Sequence, residues 1–205
     1  FGVAEPMQYI QVMGPEEYIR LQQDIGRLRE GLSGELLDPI AGNIISQSER
    51  QNYADGITHN WQDYIFRRGL TMDQQLSFSG GTSATKYMAA ASYLNQEGVV
   101  YNSKLSRINI SSNVDQTFND WLTTGIGTQF VQRGDGGVTP NIEHAIKQSP
   151  YGRYKDDLGN YVPEPMEYSL ITNPMLNVNA DQERINRNFF INGYANIKLP
   201  LEGLS

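Results

Sequence analysis

With 205 residues the chain has room for one large domain or two small ones, and a hydrophobic fraction of 39% argues against a large, evenly packed soluble core. Its net charge of −7 leaves no basic stripe to neutralise phosphates, which speaks against a nucleic-acid surface. The absence of cysteine excludes a disulfide framework, a thiolate metal site and a cysteine nucleophile, whereas twelve Tyr and twenty Gly favour sheet with many turns.

In chain order, Phe1 to Val3 reads as the tail of a strand. The chain begins without Met and stops after a strand-like run, so it is expected to be a piece of something longer. Gly14-Pro15-Glu16-Glu17 predicts a helix start, because Pro suits the first turn and acidic side chains suit the positive end of the helix dipole. Tyr18, Leu21, Ile25 and Leu28 then predict one apolar stripe to about Glu30, with Gly31 and Gly34 as the stop. Residues 41–60 are polar and irregular, with a helical turn expected around Ser46 to Tyr53. Trp61, Tyr64, Ile65 and Phe66 form an aromatic-rich cluster that must pack somewhere.

The clearest signal lies between Gln74 and Val100. A short alternating run, a turn at Gly80-Gly81-Thr82-Ser83-Ala84 and a strand over Lys86 to Leu94 predict an antiparallel hairpin. After the Asn95-Gln96-Glu97-Gly98 turn, further strands are expected over Leu105 to Asp115, Leu122 to Gln132 and Arg187 to Leu199. Each has an apolar face, carrying Ile108, Ile110, Ile126, Ile191 and Ile197, and a polar face dense in Asn, Ser, Gln and Thr. A tight turn is expected from Pro200 to Ser205.

No apolar run approaches the ~20 residues of a membrane-spanning helix, which leaves spanning by strands open, since these signal only through weak alternating segments of ~10 residues. The connections alternate in length: long over 10–72, short over 80–85, medium over 95–104, short over 116–120, very long over 133–185 and short over 200–205. A soluble sandwich has no reason to keep one end short. A transmembrane β-barrel does, because its periplasmic turns are short and its extracellular loops long. In lipid every backbone donor must be paired, so such strands belong to a closed sheet.

Trp61-Gln62-Asp63 followed by Ile65-Phe66-Arg67, then Leu76-Ser77-Phe78-Ser79-Gly80-Gly81-Thr82 and Tyr93-Leu94-Asn95-Gln96-Glu97-Gly98-Val99, resemble the SusC/RagA-type TonB-dependent outer-membrane transporters in order and spacing. Ser106-Arg107-Ile108-Asn109 and Glu16-Glu17-Tyr18 add to the match. It covers much of 1–130, looser stretches of 180–205 and hardly any of 135–180. The resemblance implies an all-β architecture: about six strands of a larger, 22-stranded antiparallel transmembrane barrel with long, partly helical extracellular loops. It implies residues 1–10 as the end of the first barrel strand, 11–72 as a helical external loop and 73–132 as strands two to five. Residues 133–185 would be a second external loop, and 186–205 strand six with the start of a periplasmic turn. It further implies import of oligosaccharides or peptides across the outer membrane of a Gram-negative bacterium, a SusD-like surface lipoprotein over the barrel, and TonB acting through an N-terminal plug region absent here.

The residues with chemical potential are few. His59 and His144 are the only histidines and read as loop residues. Asp156-Asp157-Leu158-Gly159-Asn160 lacks calcium-loop spacing and reads as a hairpin turn. Gly134-Asp135-Gly136-Gly137 has no following Lys-Ser/Thr and reads as a loop, and no Gly-x-Ser-x-Gly elbow exists. No enzyme, cofactor or metal site is expected. Trp61, Tyr64 and Phe66 are expected to anchor the first loop, and Tyr87 and Tyr93 suit membrane-interface positions about 20 Å apart at ~3.3 Å per residue. Tyr151, Tyr154 and Tyr161 are the candidates for stacking on a sugar or peptide, with packing inside the loop as the plainer role. Arg107, Asn109, Asn113 and Gln129 are expected to line the lumen. The competing readings are a siderophore-type TonB receptor and a soluble β-rich carbohydrate-binding module, the latter requiring the apolar faces to pack on one another.

Overall fold

The structure is a computed structural model that describes residues 1–31, 37–167, 169–180 and 182–199. Gly34 and the turn expected over Pro200 to Ser205 lie outside these. Six strands form one antiparallel sheet in chain order: β1 (Gly2–Ala4), β2 (Gly69–Gly81), β3 (Thr85–Glu97), β4 (Lys104–Asn119), β5 (Leu122–Gly136) and β6 (Glu183–Ile197). Among the described residues, four helices lie in the connections: α1 (Pro15–Glu30), α2 (Gln47–Ala54), α3 (Trp61–Ile65) and α4 (Ile142–Lys147).

Every strand pairs only with its sequence neighbours, so connections fall alternately at two ends of the sheet. One end carries the turns at 82–84 and 120–121; the other carries 5–68, 98–103 and 137–182. The strands outrun the expected bounds mainly at the loop end. The reason is that segments such as Met72-Asp73-Gln74 and Arg133-Gly134-Asp135 pair in register although they break the apolar alternation. Gly134 and Gly136, expected in a loop, continue β5. Gly137 ends it at φ +87, pressed against the Asn102 carbonyl where no side chain fits.

Helix α1 starts and stops as its sequence dictates. The Gly14 N–H donates to the Glu17 carboxylate at 3.1 Å, and Gly31 adopts φ +66 with its N–H on the Arg27 carbonyl. The buried face differs from the expected stripe. Ile19 and Gly26 are buried, whereas Leu21, Ile25 and Leu28 are exposed. Gly26 decides this, because only a residue without a side chain lets Leu37 and Ile44 close onto the helix backbone.

The core is displaced from the sheet. All buried hydrophobic residues among those described (Ile19, Ile45, Trp61, Ile65, Ala145, Tyr151, Met175 and Val178) belong to the connections at the loop end. The strands leave their large apolar side chains open, with Leu76 at 71%, Phe189 at 66% and Ile110 at 50% exposure. No second sheet packs on them among the described residues.

Candidate functional site

The pairing register assigns each strand residue to a face, since directly paired residues project to the same side. One face carries Leu76, Phe78, Tyr87, Ala89, Ala91, Tyr93, Ile108, Ile110, Val114, Ile126, Phe130, Phe189, Ile191 and Ile197. The five isoleucines expected together are together. The two hydroxyls in the middle of this face, Ser112 and Thr128, hydrogen-bond each other at 2.9 Å, which reduces the cost of placing them among apolar groups. Tyr87 sits in the row of Val114 and Ile126, and Tyr93 in the row of Ile108, so these rings bracket the apolar zone apart from Ile197, which lies two rows beyond Tyr87 towards the short turns.

The opposite face is polar. Arg107, Asn109, Asn113 and Gln129 all project there, with Ser77, Ser92, Ser111, Asn188 and Asn192. Gln129 donates to the Asn109 side chain at 3.1 Å. Towards the short-turn end, the Tyr194 hydroxyl donates to Asp115 at 2.8 Å across Gly125. A Cβ at Gly125 would lie 2.1 Å from the Tyr194 ring and 2.5 Å from the Asp115 carboxylate, so the bridge requires glycine.

Above the sheet, the two long connections fold onto each other. Asn60 caps α3 by accepting from the Gln62 N–H, and the helix buries Trp61 and Ile65 against Ala145, Met175 and Val178. The Trp61 indole N–H donates to the Ser149 carbonyl at 2.7 Å. Gln62 is equally buried, and its amide both donates to and accepts from the Ile10 backbone, at 2.7 and 2.8 Å. A second cluster joins α1 and α2 to the later loop through Ile19, Ile45 and Tyr151. There the Tyr18 hydroxyl donates to buried Glu49 at 2.7 Å. Burial, then the Glu49 charge, pushes the Tyr18 pKa up and keeps it a donor.

The three candidate tyrosines fall in this head. Tyr151 is buried between Tyr18 and Tyr53, with ring centroids 6.5 and 5.3 Å away. Tyr154 stacks on Tyr64 at 4.0 Å and 8° and meets Trp61 edge-on; Tyr161 packs against Tyr154 at 5.5 Å, with the Lys155 ammonium 5.0 Å above its ring. Their faces are therefore turned largely on neighbouring rings. Of the three, only Tyr154 borders the cleft of about 690 Å³ between the loops, beside Asn52, Asp55, Arg153, Lys155 and Glu167.

His59 bonds the Tyr64 hydroxyl at 2.7 Å, and burial holds its pKa below the ordinary histidine value. His144 faces Thr172 at 3.0 Å. Among the described residues, no three His, Cys, Asp or Glu side chains converge to hold a metal. Asp156 closes a turn by accepting the Leu158 and Asn160 N–H groups at 2.9 and 2.8 Å. Gly159 stands at φ +85 there, and the Asn160 N–H holds the carboxylate below its usual pKa. This is the hairpin turn expected from the sequence. Sequence reasoning missed α4 and the pairing of the loops. The signal for α4 was present in Asn141, which caps it by accepting from the His144 N–H at 3.1 Å.

No protein-family model matches the chain. It is 34% identical to TonB-dependent receptor P3 of Formosa agariphila over 173 residues, covering 74% of this chain and 17% of that receptor. It is 32% identical to TonB-dependent receptor SusC of Bacteroides thetaiotaomicron over 73 residues, 35% of this chain and 7% of SusC. A solved RagAB peptide transporter superposes over 98% of this chain and 26% of its own, with a TM-score of 0.71 and 18% identity. The chain belongs to the SusC/RagA-type TonB-dependent receptors. It thus spans about a sixth of the length of the P3 relative, and the structural likeness shows that the single antiparallel sheet with its stacked loop head recurs in this family. The matched proteins are receptors and transporters.

Proposed function

We propose that the chain is the first part of the barrel wall of an outer-membrane importer, within a barrel of 22 strands. Residues 1–10 end the first barrel strand, the connections within 11–72 and 133–185 are external loops up to the strand limits at Gly69, Gly136 and Glu183, and 73–132 and 186–205 hold the body of the next strands and a periplasmic turn. The apolar face contacts acyl chains and the polar face lines the bore. The observation that carries this reading is the position of the core. Apolar residues are buried in the loops and left open on a sheet whose connections are short at one end only. Large apolar side chains left open along one sheet face are costly in water; in a bilayer that face is in its proper solvent.

The imported molecules are oligosaccharides or peptides, the latter supported by the named activity of the RagAB transporter. The energy comes from TonB through a plug domain outside this chain, and a SusD-like lipoprotein covers the loop head. Ligand contact within the loops falls to the cleft bordered by Tyr154, while Tyr151 and Tyr161 pack outside its lining, on Tyr53 and Tyr154. No catalytic group is assigned. The test is cysteine accessibility in the whole receptor in cells. Cysteine at Asn109 labels with a membrane-impermeant maleimide, whereas cysteine at Ile110 labels only with a lipid-soluble one. Equal labelling by the impermeant reagent rejects the assignment of faces.

A further inference from the structure

The polar face carries three arginines at its loop end. Arg107 and Arg133 are directly paired across β4 and β5, and Arg184 on β6 is paired with Asp135 one rung nearer the loops. Like charges directly opposite each other on a sheet repel. Asp135 compensates only part of this, since one of its oxygens accepts both the Arg133 Nε and a terminal nitrogen at 3.1 and 2.9 Å. Arg107 has Leu94 as its neighbour on the other side and makes no ion pair or side-chain hydrogen bond among the described residues. On the loop side of this rung a cleft of about 330 Å³ is lined by Lys104, Arg133, Asp135, Thr139, Gln182 and Arg184, with Arg107 just below it, outside its lining.

We infer that Arg107 and Arg133, with Arg184 at the rim, form an oxyanion-accepting rung that takes a carboxylate or sulfate group of the incoming ligand. Guanidinium forks match both groups through paired N–H donors, and an anion between two facing arginines offsets the repulsion that the bare pair suffers. The position favours a ligand over a part of the receptor itself. Arg107 lies three residues below the loop-end limit of β4, about 10 Å at ~3.3 Å per residue, where a molecule entering from the loop side first meets the wall. The inference rests on the polar face lining the bore, which the cysteine labelling above decides separately.

The experiment is anomalous diffraction from crystals of the whole receptor soaked separately in selenate and in para-bromobenzoate. A selenium or bromine peak bridging Arg107 and Arg133, lost in Arg107→Gln with the fold unchanged, is the expected result; the selenate arm reports sulfate acceptance and the bromobenzoate arm carboxylate acceptance. Three results overturn it: no peak in either soak, a peak that survives Arg107→Gln and is therefore an adventitious ion only, or a plug-domain carboxylate already seated on Arg107. If Asn109 labels as a bore residue while both soaks are blank, the anion site falls and the assignment of faces stands.

Discussion

Two neighbouring residues on β4 offer the sharpest test of which solvent each face meets. Ile110 pairs with Ala91 on the apolar face, between the rows of Tyr87 and Tyr93. At ~3.3 Å per residue it is about 7 Å along the strand from the Tyr93 row and about 13 Å from the Tyr87 row, close to the middle of the bracketed zone. A lysine there places an ammonium near the hydrocarbon midplane, which costs about 2–4 kcal/mol. That is roughly thirty- to nearly a thousand-fold in the folded-to-unfolded ratio. Ser111, the next residue, faces the polar side beside Ala90 and Gln129. Ser111→Lys there should change stability by no more than ~0.5 kcal/mol. The assay is folding of the whole receptor into lipid vesicles along a urea series, read as the compact, heat-modifiable gel band. Ile110→Lys should move the midpoint to markedly lower urea and Ser111→Lys should leave it in place. Equal tolerance of both, or greater damage from Ser111→Lys, refutes the division of faces.

Trp61→Ala removes a buried ring and orphans the Ser149 carbonyl, at a cost of ~3–5 kcal/mol for the cavity alone. Because that ring joins the two loops and touches no strand residue of the core cluster, hydrogen exchange should rise in 61–65 and 142–178 while β3 to β5 keep their protection. Gly125→Ala should destabilise by ~1–3 kcal/mol through overpacking against Tyr194 and Asp115, and adding Tyr194→Ala should recover most of it by vacating the space, as urea midpoints would show. His59 has a folded pKa below the ordinary 6.5, so the unfolded loop takes up the proton first. Head stability is therefore complete above pH 6.5 and declines as the pH falls through the folded value. Protection factors of the loop amides, corrected for the intrinsic pH dependence of exchange, should fall on acidification in the parent and not in His59→Asn.

Strand identity and face assignment were legible because alternation is a local property: a period of two is written in successive residues, whatever they pack against. The run around Ile108-Asn109-Ile110 carries it plainly, β6 carries it at Phe189 and Ile191 but not at Phe190, which falls on the polar face, and the glycines at 80 and 81 mark the hairpin between β2 and β3. The capped start of α1 was equally local, set by Gly14, Pro15 and Glu17. The burial of α1 was not, since whether Ile19 or Leu21 turns inward depends on Ile44 approaching Gly26 from another segment. The same holds for the tyrosines. Their ring chemistry suggested ligand stacking, but Tyr64 and Tyr154, ninety residues apart in the chain, stack on each other only once the loops have met. Pairing of distant segments is set by shape and by which buried polar groups find partners, as when Gln62 meets Ile10 and Trp61 meets Ser149. Those matches exist only in three dimensions. The sequence alone therefore determined the sheet and its two unlike faces, because periodicity and turn chemistry act over a few residues; the tertiary structure alone decided the loop head, the cleft and the arginine rung, because each is assembled from residues that only folding makes neighbours.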